Sequence, residues 1–435
     1  MTTVPISLDK LLGKQLGFMN QYYKVTAVSA DKPELERVAK KYGVGHHHVE
    51  MTRAITPFKD LVAVWKFYRF LRDEMPEMVH SHTPKAGLVG MMAAYFAGVP
   101  VRMHTVAGLP LLEATGIKRI ILNIVEKITY AFATKVYPNS FAMRDIIIRE
   151  GFCAAGKLKV LGNGSSNGID TEYFSPSAIP LVKTTALRAE LGITDDDFVF
   201  IFVGRLVGDK GINELVEAFV KGKGKAKVKV KAEVKGFFAA KEVASPSVAD
   251  RNDSVEVEVK VEDGGNTKGE DEAEGDFMRH GRNVKLLLVG PLEEDLDALL
   301  PETLEAIQSH PDIISVGYQD DVRPYFALSD ALAFPSYREG FPNVVLQAGA
   351  MELPCIVTNI NGCNEIIEEG NNGMIIPVKD SAALQQAMEK VVDDTENYYS
   401  MKSNARPLIE SRYRQEVVWQ ALLEEYKTLI GNVLR

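Results

Sequence analysis

Arg205 and Lys210 lie in the run G-R-L-V-G-D-K-G, and Glu339 lies in F-P-S-Y-R-E-G-F-P-N-V-V-L-Q. Two cations one loop apart, at a strand end and a helix start, suit a diphosphate. Gly204 ends the apolar run before Arg205, where a tight turn or close backbone approach leaves no room for a side chain. Glu339 suits hydroxyl groups. Pro342 reads as standing just inside a helix start, which leaves the amides of Asn343, Val344 and Val345 pointing outward and able to bind an anion. Gln347 adds a second polar side chain further along that helix. A solvated basic pair and a solvated turn before a core helix are the plain alternatives.

Other groups carry weaker signals. His82 follows His80 at a strand end and points either into a cleft or into the core. Lys85, beside Gly87 at a helix start, could meet an acceptor phosphate. His46, His47 and His48 form a tract, but adjacent side chains diverge, so a solvated loop is expected rather than a metal site. The loop from Gly162 to Gly168 mimics a dinucleotide fingerprint; no helix follows it, and a nicotinamide cofactor is set aside. Cys153, Cys355 and Cys363 have no metal-like spacing, and their odd number in a long chain fits a reducing cytoplasm.

These residues need a frame. Strands are expected at Thr2–Ile6, Tyr23–Ser29, Met78–Ser81, Val101–Thr105, Lys135–Pro138 and Leu158–Leu161, with amphipathic helices between them. Leu8–Asn20, Phe58–Glu74, Leu88–Phe96 and Lys118–Thr134 are the main ones. In the last, core packing is the expected role of the stripe Ile120, Ile121, Ile124, Val125 and Ile128. After a stretch with two prolines (171–180) the pattern restarts at Phe198–Val203, continuously apolar as a buried parallel strand should be. Strands at Val284–Val289, Ile313–Val316, Asp330–Phe334, Cys355–Thr358 and Met374–Val378 follow, with a helix expected at 295–309 and a long last helix from Gln415. Strands alternating with helices argue for parallel sheets covered on both faces. The carboxyl edge of such a sheet is where ligands bind, and it places Arg205, Lys210 and Glu339 together.

The chain has 435 residues, which suggests two domains: residues 1–175 and 176–414. Residues 1–180 carry a net charge of +7 and the rest −16. The basic first half leans toward an anionic partner or membrane surface. Residues 221–282 break the pattern with alternating lysines, V-E-V-E-V-K-V-E and an acidic, Gly-rich run, and read as a charged insertion in the second domain. Lacking interleaved aromatic residues, it is not expected to bind nucleic acid. Met1–Lys14 lacks the pattern of a secretory signal, and Leu88–Val101 is too short to span a bilayer. The protein is therefore expected in the cytoplasm, at most on the inner face of the membrane.

Two motifs in order, G-R-L-V-G-D-K-G and S-Y-R-E-G-F-P-N-V-V-L-Q-A-G-A-M-E-L-P-C-I-V-T, make the second half resemble the donor-binding domain of the retaining glycosyltransferases of the GT-B fold, family 4. In the first half V-H-S-H-T-P-K-A-G, V-R-M-H-T and N-G-I-D agree. The likeness is to bacterial enzymes that extend lipid-linked surface polysaccharides. It implies an α/β fold class: two doubly wound Rossmann-like domains facing a cleft, with the last helix, 415–435, packing back on the first. It also implies a nucleotide-sugar co-substrate, expected to be a UDP-sugar, from which a hexosyl or N-acetylhexosaminyl group passes to a lipid-linked or saccharide acceptor, with no metal cofactor.

By this resemblance Arg205 and Lys210 hold the donor diphosphate, Glu339 contacts sugar hydroxyls, and the amides from Phe341 through Val344, beyond Gly340, assist. His104 matches a first-domain histidine facing the sugar, and His82 and Lys85 lie on the acceptor side. Gln347 departs from the pattern, standing where the family has a second glutamate on the ribose; an amide still bonds a hydroxyl there, without the added strength of charge. A nucleotide-sugar epimerase of the same fold and a non-catalytic nucleotide-sugar-binding partner are the alternatives.

Overall fold

A computed structural model of the chain describes residues 1–52, 54, 56–109, 111, 114–223, 283–293 and 297–433. Nearly all of the charged insertion expected at 221–282 lies outside the described residues.

The second half is built on a fully parallel sheet. Its strands are β6 (Phe198–Val203), β7 (Val284–Val289), β8 (Ile313–Ser315), β9 (Ala331–Phe334), β10 (Cys355–Thr358) and β11 (Gly373–Ile376), in spatial order β11-β10-β9-β6-β7-β8. The strand β6 is central because nothing along F-V-F-I-F-V needs water. Phe198 to Phe202 are buried, and Phe202 stacks on Phe334 of β9 at 5.9 Å. The edge above β6 and β7 is fixed by glycine. A Cβ on Gly290, whose φ is +150°, would lie 1.7 Å from the Gly204 carbonyl oxygen.

The first half has a parallel sheet of β3 (Met78–Ser81), β4 (Val101–Val106) and β5 (Lys135–Pro138), beside a parallel pair of β1 (Thr26–Ser29) and β2 (Gly45–His48). Residues Met1–Thr3 link the two. The Met1 ammonium donates to His80 O (2.8 Å) and the His82 amide to Met1 O (3.1 Å), while the Thr2 amide donates to Val28 O (3.0 Å).

Several expectations are corrected. Thr2–Ile6 is no strand: Pro5–Ser7 is a helical turn, since Pro5 lacks the amide a ladder needs. The helix expected over Leu8–Asn20 breaks at Gly13 (φ +52°) into a π-helical turn and a short α-helix, Lys14–Met19. The histidine tract is β2, not a loop; it pairs in register with β1, and His47 stacks on Phe70 at 3.7 Å. Of Leu158–Leu161 only Leu158 bridges to the sheet, at Val136. The helix expected at 295–309 runs from Pro301 to Ser309.

Two long helices at the end of the chain, Thr395–Tyr413 and Gln415–Val433, join the halves. The first packs on the second domain. The second crosses to the first domain, where Leu422 and Leu423 share a core with Met103 and Tyr137. Buried Glu425 accepts from Tyr137 Oη (2.9 Å) and pairs with Lys159. The outgoing and returning chain crossings are bonded to one another: the Ile169 amide donates to Tyr413 O (2.8 Å) and the Gln415 amide to Ile169 O (3.1 Å). Arg406 fastens the connector through Thr171 O (2.7 Å) and Phe174 O (3.0 Å).

Candidate active site

Gly211 brings the two main motifs together. It has φ +71°, and a Cβ there would lie 2.2 Å from the Pro335 carbonyl oxygen. The helix Ile212–Gly222 therefore begins directly against the end of β9, with Lys210 just ahead of it. Lys210 Nζ lies 2.5 Å from Glu339 Oε1, and both side chains are mostly shielded from solvent. Buried Ser336 also donates to Glu339 Oε1 (3.1 Å). Neighbouring charges are similarly matched. Arg205 meets Glu293 at 3.3 Å and Arg338 meets Asp209 at 2.8 Å. Tyr337 donates to Glu214 (2.6 Å) and lies under Lys379; burial, then the bond to Glu214, push its phenol well above the usual range.

The structure thus brings together Gly204, Arg205, Lys210, Glu339, Gly340, Phe341, Pro342, Asn343 and Val344 on one sheet edge. Pro342 is the N-cap rather than the first helical residue, so the helix Asn343–Ala350 starts with the amides of Asn343 and Val344. Gln347 is half-buried on that helix.

The first domain closes over this edge. A Cβ on Gly340 would lie 2.0 Å from the Ala107 carbonyl oxygen, and one on Gly164 would lie 3.0 Å from the Phe341 ring. Asn139 Nδ2 donates to the same Ala107 oxygen at 3.4 Å. The placement of His104 needs correcting. It is 2% exposed, its Nδ1 is 2.8 Å from Ser81 Oγ, and its Cε1 would lie 2.5 Å from a Cβ on Gly87 of helix Pro84–Ala97. The imidazole packs beneath that helix, and burial lowers its pKa to about 4. The residue facing the donor turn is Ala107. The strand runs to Val106, one residue past its expected end, and Ala107 follows it directly.

His82 is buried at the end of β3, its ring 4.0 Å from that of His80, and its Nδ1 has no partner among the described residues. Lys85 is not free for a phosphate: it pairs with Asp60 at 2.5 Å, and Asp60 also accepts from Thr56 (3.0 Å).

Sequence reasoning missed the backing of the donor turn. Asn361 Nδ2 donates to the carbonyls of Glu339 and, at 3.1 Å, Gly340, and Thr358 donates to Ser336 O. The signal was present in T-N-I-N-G-C-N-E, a polar, Gly-containing run leaving a strand on the same edge.

Two parallel-sheet domains closing over a shared carboxyl edge form the GT-B fold of glycosyltransferases. The comparisons agree. Residues 17–164 match the glycosyl transferase 4-like domain and residues 275–394 match glycosyl transferases group 1. The chain is 28% identical over 430 residues to the capsular polysaccharide biosynthesis glycosyltransferase CapM of Staphylococcus aureus, covering 99% of this chain and 96% of CapM. It is 28% identical over 348 residues to the UDP-Gal:alpha-D-GlcNAc-diphosphoundecaprenol alpha-1,3-galactosyltransferase of Escherichia coli, covering 79% and 73%. A solved glycosyltransferase from Rickettsia africae aligns with a TM-score of 0.71 at 15% identity, covering 99% and 97%. HepE of Anabaena in complex with UDP aligns at 0.69 and 17%, covering 98% of each chain. Those structures bear on the fold; with the family matches and relatives they support a GT-B glycosyltransferase.

Proposed function

We propose that the chain is a retaining glycosyltransferase that moves a hexosyl or N-acetylhexosaminyl group from a UDP-sugar to a lipid-linked or saccharide acceptor in surface polysaccharide biosynthesis. The observation that carries this is the Lys210–Glu339 pair, backed by Ser336 and flanked by Arg205. A bound diphosphate gives Lys210 and Arg205 anionic partners, and their charge stabilises the leaving group as its bond to the sugar breaks. Glu339 is then released to accept from sugar hydroxyls. The bond from the anomeric carbon to the diphosphate oxygen breaks as the acceptor oxygen forms its own from the same face. The acceptor's proton passes to the departing phosphate oxygen. The two cations take the place of a metal ion in this scheme. The relatives' names support the acceptor class: one acts on a diphosphoundecaprenol-linked sugar.

The reading places the enzyme at the cytoplasmic face of a membrane. The helix Pro57–Glu74 exposes Phe58 (86%), Leu61, Val62 and Trp65 (56%) beside Lys59, Lys66 and Arg69, and the helix Gly116–Phe132 exposes Ile117, Ile120 and Ile124. Core packing was expected for the second stripe; its Ile120 and Ile124 instead face solvent. Apolar side chains flanked by cations suit an anionic lipid surface. No helix among the described residues is long and apolar enough to cross a membrane.

The test incubates the purified chain with a panel of UDP-sugars and extracted polyprenyl-diphosphate-linked saccharides, followed by mass spectrometry. One added hexose or N-acetylhexosamine on the lipid is expected. Donor binding without transfer across the panel would favour the non-catalytic reading, which Gln347 and Ala107 motivate; an epimer formed from donor alone would favour the epimerase.

A further inference from the structure

Glu365 spans the cleft. It belongs to the short helix Cys363–Ile366 of the second domain, yet its Oε2 accepts the Phe141 amide at 2.7 Å and its Oε1 the Ala142 amide at 3.0 Å. These amides open the helix Phe141–Arg149 of the first domain, where Ser140 Oγ takes the next one, Met143, at 3.1 Å. Opening amides have no partner inside their own helix. Here two of them are satisfied from the opposite domain, by a charge that the helix dipole also favours.

The segment that carries Glu365 also backs the donor turn. Asn361 holds the Glu339 and Gly340 carbonyls. Gly362, with φ +77°, lies so close that a Cβ would be 2.7 Å from Gly340 O and 2.9 Å from Phe341 Cα. On its other side Tyr413 Oη donates to Glu365 O at 2.9 Å, and Tyr413 is the residue bonded to Ile169 where the chain crosses between domains.

We propose that Glu365 is a positioning residue that couples closure of the two domains to the geometry of the donor turn. With its carboxylate on the Phe141 and Ala142 amides, the first domain is held where Ala107 O meets Gly340. Releasing those bonds lets the first domain swing away and removes one of the supports of the turn 339–342. The inference rests on the glycosyltransferase reading only in its kinetic consequence; the latch itself is a property of the fold.

The test uses the full chain with Glu365→Ala, Glu365→Gln and, from the opposite side, Phe141→Pro. Ser140 is already extended (φ −150°, ψ 156°), the backbone a following proline requires, so this last change removes one amide at a position where proline suits a helix start. Hydrogen exchange at residues 141–142, small-angle scattering and donor kinetics are measured. For Glu365→Ala the expected result is at least tenfold faster exchange at Ala142, a larger radius of gyration, and a roughly tenfold lower kcat with donor KM changed less than twofold. Glu365→Gln, which keeps one acceptor oxygen, should fall between it and the wild type, and Phe141→Pro should also enlarge the radius. Unchanged exchange and radius in Glu365→Ala would overturn the proposal, as would a lowered Tm with no change at residues 141–142. Should no transfer be found even in the wild type, exchange and scattering still decide the latch.

Discussion

The Lys210 ammonium and the Glu339 carboxylate, 129 residues apart in sequence, lie 2.5 Å apart at the head of the second sheet. Both side chains are mostly shielded from solvent, and Ser336 donates to the same Glu339 oxygen (3.1 Å), so the pair is held in place until a ligand divides it. Removing either partner strands a partly buried charge. Lys210→Ala and Glu339→Ala are each expected to lower kcat by roughly 100-fold or more, the scale of a lost transition-state contact. Initial rates with donor and lipid acceptor check this, with circular dichroism confirming the fold.

Gln347→Glu restores a carboxylate where the resemblance places a contact to the ribose. A charge-assisted bond is about twice as strong as a neutral one, a gain of about 1 kcal/mol. Donor KM is expected to fall roughly fivefold with kcat little changed, read from donor saturation curves.

With Arg205 and Lys210 supplying positive charge at the diphosphate, transfer should keep its rate after chelation. Dialysis against EDTA followed by an assay with and without added magnesium or manganese tests this. Loss of activity on chelation, restored by either ion, would sink the two-cation scheme.

Gly290 cannot carry a side chain without displacing the Gly204 carbonyl. Gly290→Ala combines an unfavourable backbone angle with a backbone collision, and is expected to cost at least ~2 kcal/mol. A lowered urea midpoint for the second domain is the readout, and loss of donor binding should accompany it because Arg205 follows Gly204 directly.

Stability should depend on pH through opposing buried groups. Burial lowers His104 to about 4 and holds His80 and His82 well below the histidine range. Below 6.5 the unfolded chain takes up protons that the folded state refuses, so their contribution is lost as pH falls from 6.5 toward 4. Burial raises Glu126 to about 7, so between 4.5 and 7 the folded state holds the extra proton and stability falls as pH rises. Glu126→Gln should therefore be the more stable protein at pH 8, by roughly 3 kcal/mol at most, and should lose that advantage at pH 4.5. His104→Asn should flatten the acid loss. Urea titrations of the first domain from pH 8 to 4.5 follow both.

Much of the frame was legible because its strands announce themselves. The run Phe198–Val203 is apolar throughout and ends in Gly204, so both the buried strand and the ligand edge could be read from one stretch. Glu339 was legible because Gly340 and Pro342 mark the turn that carries it. The tract G-H-H-H was not, since it has no apolar alternation; it is a strand because β1 offers an edge and His47 finds Phe70 to stack on. His104 was misplaced because nothing local to V-R-M-H-T tells that Gly87 lets the helix Pro84–Ala97 pack directly on that imidazole. Glu365 left no local trace at all. Its partners lie 224 and 223 residues away, and only the closed fold brings them within reach.

The paired crossings at Ile169 and Tyr413 have a mechanical meaning. Two strands of chain that pass between the domains separately would permit sliding as well as tilting. Bonded to each other and fastened by Arg406, they behave as one pin on one axis. The domains can then part as a door does, with motion small at the pin and growing with distance from it.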